Sequence, residues 1–405
     1  MCVCGAYAEF AGEPNNVLKG AKWSPDGLCL MTASEDRTLR LFELPGDDGG
    51  GGGDGGGSVA ELSSVLQVRE GESIYDYAWY PHMDSAQPET CCFASSSRDH
   101  PVHLWDAYTG SCRASYVSYN HLDEVVAANS CAFSLDGQRL YCGFDRAVRI
   151  FDVTRPGRQC KLLQTCKSRK SRAGQRGIIS CFAFAPDFSG LYAAGSFSGT
   201  TGLYAEGSDG LIVELGGHNG GVTQCTFSHD GLKLYTAARC DGAIHCWDVR
   251  MSCRVLASFQ RACPTNQRIG FELKGAASEA LITASQDGRV LVYDTTAPAE
   301  PPATVLSFGE ATNAATSHPN LPLLAVAVGE RRFPLSRDDH GARGGGGDSG
   351  ATTEEAWSCD RASEDDPYAN GLSVWRMPTP NAESAQPSTD GLAGNDGSDG
   401  WEDGA

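Results

Sequence analysis

The chain has 405 residues, of which 40% are apolar, and a net charge of −19 at neutral pH. It has no apolar run of the roughly 18 residues that a membrane span needs, and its start, MCVCGAYAEF, lacks the basic and apolar regions of a secretory signal. We therefore expect neither a membrane-embedded nor a secreted protein. The negative charge is uneven, because residues 338–405 hold 15 acidic and 3 basic side chains, whereas residues 1–337 carry a net charge of only −7.

A pattern of about 45 residues recurs along the chain. Its clearest copies are KWSPDGLCLMTASEDRTLRLFEL (22–44), CAFSLDGQRLYCGFDRAVRIFDV (131–153) and CTFSHDGLKLYTAARCDGAIHCWDV (225–249). Each copy reads as a strand, a turn, a second apolar strand, a tight hairpin and a third strand with an aromatic-acidic ending. Repeats of roughly 40–45 residues with four strands and a terminal Trp-Asp are typical of β-propeller blades.

We therefore predict an all-β protein, a seven-bladed WD-repeat β-propeller over residues 5–377. The predicted blades centre on residues 17–70, 71–116, 127–166, 177–216, 219–259, 266–308 and 312–377. Because such a ring is a platform for binding partners, we expect no enzyme and no cofactor.

Two insertions and a tail interrupt or follow this pattern. Residues 46–58 have the composition of a flexible Gly-rich linker, and the Gly/Asp-rich insert 334–370 has too little apolar content to fold. GLSVWRM (371–377) then supplies the third strand of blade seven, and GAYAEFAG (5–12) is the candidate for its outer strand, which would close the ring. Residues 378–405 read as a disordered acidic tail that is dispensable for folding.

The 17 cysteines predict neither disulfides nor a metal site. Many of them alternate with other apolar residues in predicted strands, no C-x-x-C pair occurs, and no Cys/His set has the spacing of zinc ligands. Free cysteine packs as a small apolar side chain, so we expect most of them in the core of a protein from a reducing compartment.

Blade five contains His218, Thr236, Asp241 and Trp247 at positions that form a hydrogen-bonded chain in WD-repeat proteins. A His–Asp–Thr set also resembles part of a hydrolase site. We favour the structural interpretation, because buried polar groups between blades must be paired.

Residues 155–176, RPGRQCKLLQTCKSRKSRAGQR, hold eight Lys or Arg and no acid. Clustered cations on a loop beside a rigid platform suit phosphate binding, although a solvated loop fits the composition equally well. The candidate RNA-binding cations of this stretch are Lys167, Arg169, Lys170, Arg172 and Arg176. The nearby aromatic residues Tyr116, Tyr119 and Phe144 are candidates for stacking on unpaired bases.

Several segments resemble the telomerase Cajal body protein family. They are LKGAKWSPDG (18–27), SSSRDHPVHLWDAYTGSCRASYVSYNHLDE (95–124), GIISCFAFAP (177–186), GGHNGGVTQCTFSHDG (216–231) and TNQRIGFEL (265–273). The resemblance implies a nuclear scaffold that binds small Cajal-body RNAs and telomerase RNA, directs them to Cajal bodies and aids telomerase assembly. It also implies telomerase or H/ACA ribonucleoprotein proteins as partners, and a chaperonin for folding.

The family-like segments add Arg98, His121 and Arg268 to the RNA-binding candidates. For Arg98 and Arg268, a structural salt bridge is an equally good interpretation. The alternative function is that of a protein–protein adaptor of chromatin or ubiquitin-ligase complexes that binds no RNA.

Overall fold

The structure of the protein is a computed structural model. It describes residues 1–11, 15–45, 59–167, 174–251, 254–331 and 370–377. These residues form seven β-sheets that are the blades of one propeller, and within them the single helical element is the 3-10 helix Ala8–Phe10. The predicted seven-bladed WD-repeat propeller is confirmed. The predicted linker 46–58, the tail 378–405 and all of the insert except Asn370 lie outside the described residues.

Blades one to three each consist of four antiparallel strands, named a to d from the central channel outward. Blade one has β2 Leu18–Trp23, β3 Cys29–Ser34, β4 Thr38–Glu43 and β6 Leu66–Arg69. Blade two has β7 Ile74–Trp79, β8 Cys92–Ser97, β9 Val102–Asp106 and β10 Cys112–Tyr116. Blade three has β11 Ser130–Phe133, β12 Arg139–Phe144, β13 Ala147–Asp152 and β14 Cys160–Gln164.

Blades four to six repeat this order. Blade four has β15 Ile179–Phe184, β16 Leu191–Ser196, β17 Thr200–Ala205 and β18 Leu211–Gly216. Blade five has β19 Val222–Phe227, β20 Lys233–Ala238, β21 Ala243–Asp248 and β22 Val255–Gln260. Blade six has β23 Phe271–Lys274, β24 Ala280–Ala284, β25 Arg289–Asp294 and β26 Ala303–Ser307.

Blade seven joins the two ends of the described chain. Its strands are β27 Thr312–Ser317, β28 Leu323–Val328, β29 Gly371–Arg376, β1 Cys2–Ala6 and β5 Ala60–Glu61. The third strand therefore lies where GLSVWRM predicted it. β1 pairs antiparallel with β29, and the short β5 pairs parallel with β1. The ring is thus closed by the N-terminal segment, which leaves fewer exposed strand edges.

The closing strand begins at residue 2, whereas the sequence predicted it over 5–12. The backbone N–H groups of Tyr7 and Ala8 both donate to Glu61 Oε1 at 2.9 Å. This carboxylate ends the strand at Ala6, and after Tyr7 the 3-10 helix Ala8–Phe10 begins. Phe10 then turns inward, is fully buried and packs against Phe42 with 6.3 Å between the ring centres.

The turn between strands a and b is encoded locally. In blade one, Ser24 Oγ donates to Asp26 Oδ1 at 2.5 Å, and the same carboxylate oxygen accepts from the N–H of Leu28 at 3.1 Å. Gly27 follows with a φ of 82°, which a side chain with a Cβ rarely adopts. Blades three and five repeat the Ser–Asp contact at 2.5 Å. The recurring Ser-x-Asp-Gly sequence is therefore the signal for this turn.

The core lies between neighbouring blades. Strands a, b and c all contribute to it, and the strand b side chains of Met31, Ala33, Tyr141 and Leu234 are at most 1% exposed. The 15 cysteines in the described part of the chain are free thiols, and ten of them are buried. The ten buried cysteines occupy core positions as small apolar side chains do.

Candidate nucleic-acid interface

One face of the propeller collects the hairpins between strands b and c and the connections that lead from strand d into the next blade. Because the strands of a blade alternate in direction, these two kinds of loop meet at the same end. In blade three, the N–H of Arg146 donates to Gly177 O at 2.9 Å, and the N–H of Thr165 donates to Arg146 O at 3.1 Å. We call this end of the ring the hairpin face. The a–b turns and c–d connections belong to the opposite face.

Five b–c loops place an arginine on the hairpin face, and we call this set the hairpin arginines. They are Arg37, Arg98, Arg146, Arg239 and Arg331. Of these five arginines, only Arg98 was predicted from the sequence as an RNA-binding residue. Aligning the hairpins would have revealed three others, because Arg37 and Arg146 directly follow a hairpin Asp and Arg239 lies two residues before one.

Four of the hairpin arginines form ion pairs near the surface. The distances are 3.8 Å from Arg37 to Glu72, 3.3 Å from Arg98 to Asp99, 2.9 Å from Arg146 to Asp145 and 2.7 Å from Arg331 to Glu35. Among the described residues, Arg239 makes no ion pair, and its guanidinium lies 4.5 Å from the ring centre of Phe197. Surface ion pairs contribute little, about 0–1 kcal/mol. These cations can therefore exchange a carboxylate for another anion.

The basic stretch 155–176 does not form one patch. Strand β14 divides it, so Arg158 lies in the connection before the strand, and Lys167 and Arg176 lie in the connection after it. Lys161, on the strand, is 2.6 Å from Asp209. Only the second part reaches the hairpin face. The predicted residues Arg169, Lys170 and Arg172 lie outside the described residues.

The aromatic candidates near this stretch differ in accessibility. Tyr116 and Phe144 are 1% and 7% exposed, so neither ring can stack on a base. The half-buried ring of Tyr119 is contacted by Arg158 at 4.8 Å. His121 is exposed in the same loop, which the Asn120 side chain shapes by accepting from two backbone N–H groups at 2.8 and 3.0 Å.

Arg268 lies inside the central channel. Its Nη1 is 3.1 Å from Asp76 Oδ1, and Lys22 Nζ is 3.6 Å from the same oxygen. We call Lys22, Asp76 and Arg268 the channel cluster; they come from blade one, from blade two and from the connection into blade six. The cations are 39% and 34% exposed because the channel is open to solvent, whereas Asp76 is 7% exposed.

The charges of the channel cluster act on one another. Burial lowers the pKa of Lys22, an effect that Asp76 opposes and Arg268 reinforces. Burial would also lower the pKa of Arg268, but the Asp76 carboxylate raises it. The two cations therefore depend on one carboxylate for their charge balance.

The four predicted residues of blade five lie in one hydrogen-bonded chain, the blade-five network. Trp247 Nε1 donates to Thr236 Oγ1 at 2.9 Å, and that hydroxyl lies 2.8 Å from His218 Nε2. His218 Nδ1 lies 3.0 Å from Asp241 Oδ2. Because the Asp241 carboxylate can only accept, His218 Nδ1 carries the imidazole proton, and Nε2 accepts from the Thr236 hydroxyl. Burial lowers the pKa of His218, although its hydrogen bond to Asp241 opposes the shift.

The donor atoms of His218, Asp241 and His245 lie within 4.8 Å of one another, which is close enough for metal ligands. However, the lone pair of His218 already accepts the Thr236 hydroxyl, and its N–H donates to Asp241. His245 Nδ1 lies 2.8 Å from Ser258 Oγ. The geometry is that of a satisfied structural network.

Blade two has an equivalent network that the sequence reading missed. Glu70 Oε2 accepts from Ser97 Oγ at 3.0 Å, Glu70 Oε1 accepts from Ser95 Oγ, and His103 Nδ1 lies 3.2 Å from Oε2. Trp105 Nε1 donates to Ser95 Oγ at 2.8 Å. Ser95 and Trp105 occupy the strand positions of Thr236 and Trp247 in blade five, which is the signal that could have identified them.

Comparison with known proteins shows similarity to WD-repeat proteins, among them telomerase Cajal body proteins. The "WD domain, G-beta repeat" family matches residues 7–43, 110–152 and 210–248. The chain is 47% identical to human "Telomerase Cajal body protein 1" over 82% of this chain and 60% of that protein. It is 36% identical to the Drosophila melanogaster "Telomerase Cajal body protein 1 homolog" over 79% of this chain and 58% of that protein.

This chain matches a larger share of a more distant relative. The chain is 27% identical to "Guanine nucleotide-binding protein negative regulator 1" of Schizosaccharomyces pombe, over 83% of this chain and 87% of that protein. By contrast, the chain spans about three fifths of the length of the telomerase Cajal body relatives. In the part of the chain that the structure describes, no helix has the length and apolar character to cross a membrane.

Proposed function

The chain belongs to the telomerase Cajal body protein family, and on that premise we propose that it is an RNA-binding scaffold of small nuclear ribonucleoproteins. Its RNAs would be small Cajal-body RNAs and, where the RNA carries the recognised loop, telomerase RNA. The scaffold would direct them to Cajal bodies in the nucleus and aid telomerase assembly. Its protein partners would be telomerase or H/ACA ribonucleoprotein proteins, with a chaperonin for folding.

The observation that carries the proposal is the set of hairpin arginines on one face of the ring. A chain with a net charge of −19 has no general affinity for nucleic acid, so RNA binding requires a local concentration of cations. Arginine is suited to this role because its planar fork binds phosphate through two parallel hydrogen bonds. Lys167 and Arg176 would extend the same surface toward blade four.

Single-stranded loops fit this face better than duplexes do. Sequence-specific RNA recognition uses unstacked bases that lie on aromatic rings or guanidinium planes. The stacked Arg239–Phe197 pair offers such a plane beside a cation. Removal of a phosphate contact from a single-stranded site lowers the salt slope of binding by about 0.7.

The decisive experiment compares two sets of arginine variants in the full chain. Arg37→Ala, Arg98→Ala, Arg146→Ala and Arg239→Ala are combined on the hairpin face. The control combines Arg155→Ala and Arg250→Ala, which lie in connections after strand c and pair with Asp152 at 3.8 Å and Asp248 at 3.1 Å. Affinity for a Cajal-body RNA is measured by fluorescence anisotropy across a range of salt concentrations.

We expect the hairpin variant to lose affinity and to show a shallower salt dependence, with the control unchanged. A further pair of changes, Lys167→Ala and Arg176→Ala, tests the part of the basic stretch that reaches the same face. Equal affinity and slope in all variants would remove the hairpin face from the proposal. Crosslinking in cells that recovers proteins but no small RNA would favour a protein–protein adaptor.

A further inference from the structure

The entrance of the central channel on the hairpin face contains a cavity of about 730 Å³. Blades one, two, six and seven contribute to its wall, whose residues include Lys19, Tyr75, Arg268 and Asn313. A second cavity of about 280 Å³ shares Lys19, Arg268 and Asn313 with the first. We call the first cavity the channel mouth. Its volume lies in the range of roughly 300–1,000 Å³ that is usual for small-ligand sites.

The channel mouth contains a buried acceptor without a partner. Asn313 is 2% exposed, and its Nδ2 donates to Leu18 O at 2.8 Å and to Gly329 O at 2.7 Å. Because both partners are carbonyl oxygens, they settle which end of the amide carries the hydrogens. Its Oδ1 has no hydrogen-bond partner among the described residues. A buried acceptor left unpaired is costly, so a ligand donor would satisfy it once a side chain of the wall has moved to uncover Oδ1.

The charges around the channel mouth are mixed. Glu35 binds both Lys19 at 3.1 Å and Arg331 at 2.7 Å, and Asp76 binds Arg268. Carboxylates and cations thus alternate, which disfavours a compact, multiply charged anion and suits a polar ligand with both donors and acceptors. Tyr75, with 42% of its surface exposed, adds an accessible aromatic ring to the wall.

We propose that the channel mouth binds one unpaired nucleotide of the RNA, whose base enters beside Tyr75 and reaches Asn313 Oδ1 and Arg268. This inference rests on the proposed function and extends it from the outer surface into the channel. A nucleobase combines a flat face for stacking with N–H donors and carbonyl or ring-nitrogen acceptors along its edge. The backbone phosphates remain outside, where the hairpin arginines surround the entrance.

The test uses Tyr75→Ala, because no hydrogen bond of this side chain contributes to the fold among the described residues. The control is Tyr108→Ala, which removes another exposed tyrosine, 56% exposed, in the turn after strand β9 on the opposite face. Because the Tyr108 hydroxyl donates to Ser85 O at 2.8 Å, thermal unfolding is measured for both variants. We expect Tyr75→Ala to weaken RNA binding about tenfold, the loss of one stacked base, without a change in salt slope. The control should bind as the parent chain does.

Ultraviolet crosslinking followed by mass spectrometry provides a second measurement on the unmodified protein. We expect a nucleotide attached to Tyr75 or to a residue of the neighbouring segment 264–268. Titration with the four nucleoside monophosphates and with inorganic phosphate distinguishes a base from a phosphate ligand. Binding of inorganic phosphate as tight as that of the nucleotides would overturn the proposal.

The two proposals fail in different ways. If RNA binds the parent chain and the hairpin variant weakens it, but Tyr75→Ala has no effect and no crosslink reaches the channel mouth, the nucleotide site is wrong and the scaffold stands. If the parent chain binds no RNA, both are wrong.

Discussion

The channel cluster and the blade-five network use similar chemistry in different surroundings. In blade five, the His218, Thr236 and Asp241 side chains are at most 7% exposed, and every hydrogen bond closes within one blade. In the channel, Lys22 and Arg268 are 39% and 34% exposed, and the three residues come from distant parts of the chain. The first network is dry and local, whereas the second is wet and long-range.

This difference separates stability from binding. A dry network leaves orphaned polar groups when one member is removed, and water cannot replace the lost partner. A wet cluster is partly rescued by solvent, so its contribution to stability is small, but its groups are accessible to a ligand. Blade two belongs to the first kind, because Glu70 and Ser95 are 3% exposed or less.

The largest expected effect comes from Thr236→Val, which keeps the shape of the side chain but removes the hydroxyl. Trp247 Nε1 and His218 Nε2 both lose their partner, and each buried orphan costs about 1–3 kcal/mol. We expect the free energy of unfolding to fall by about 3 kcal/mol in chemical denaturation. Thr304→Val, at an exposed position of β26, is the control and should change it by less than about 0.5 kcal/mol. An unchanged free energy of unfolding in Thr236→Val would show that the blade-five network does not stabilise the fold.

The second prediction concerns the network that the sequence reading missed. Glu70→Ala leaves the Ser95 and Ser97 hydroxyls and the His103 ring without their shared acceptor. Water can reach His103, which is 18% exposed, and Trp105 keeps its bond to Ser95. The serine hydroxyls can rotate, whereas the buried indole and imidazole of blade five cannot, so the expected loss is about 2 kcal/mol, smaller than for Thr236→Val. Thermal unfolding of the two variants side by side ranks them. Wild-type stability of Glu70→Ala would show that blade two does not depend on this carboxylate.

The third prediction concerns Arg268 of the channel cluster, where we expect a smaller loss of stability than in the buried networks. Arg268→Met removes a cation from the channel, but Lys22, which solvent reaches, remains near Asp76, and the Asp76 carboxylate still accepts from the backbone N–H groups of Tyr77 and Cys131. We therefore expect a loss of only about 1 kcal/mol in unfolding free energy, together with weaker RNA binding if the channel mouth is a nucleotide site. A loss as large as that of Thr236→Val would mean that the channel cluster is also a structural network.

The smallest effect is a pH dependence from blade five. The folded pKa of His218 is lowered by burial, so the unfolded chain binds its proton more readily. Stability from this residue is complete well above the unfolded pKa of about 6.5 and falls as the pH drops through and below it, by at most about 0.8 kcal/mol at pH 6. Unfolding of the parent chain and of His218→Asn between pH 7.5 and 6 should show a weaker pH dependence in the variant. Equal dependence in both would exclude His218 as its source.

Much of the fold follows from short stretches of sequence. The Ser-x-Asp-Gly turns, the alternating apolar strands and the resumption of blade seven at residues 371–377 are each encoded within a few residues, because turn geometry and burial depend on near neighbours. The positions of His218, Thr236, Asp241 and Trp247 within the repeat are likewise readable from one blade. The closing strand was misplaced by a few residues because Glu61, in a distant segment, determines where it ends.

The composition of the candidate site depended on tertiary structure. Strand β14 divides a continuous run of cations, and packing buries Tyr116 and Phe144, so neither the basic patch nor the stacking residues could be taken from sequence proximity. Arg268 and Asp76 meet across 192 residues of chain. Their contact exists because closure of the ring brings strands from different blades to one axis, and no local pattern in the sequence records that distance.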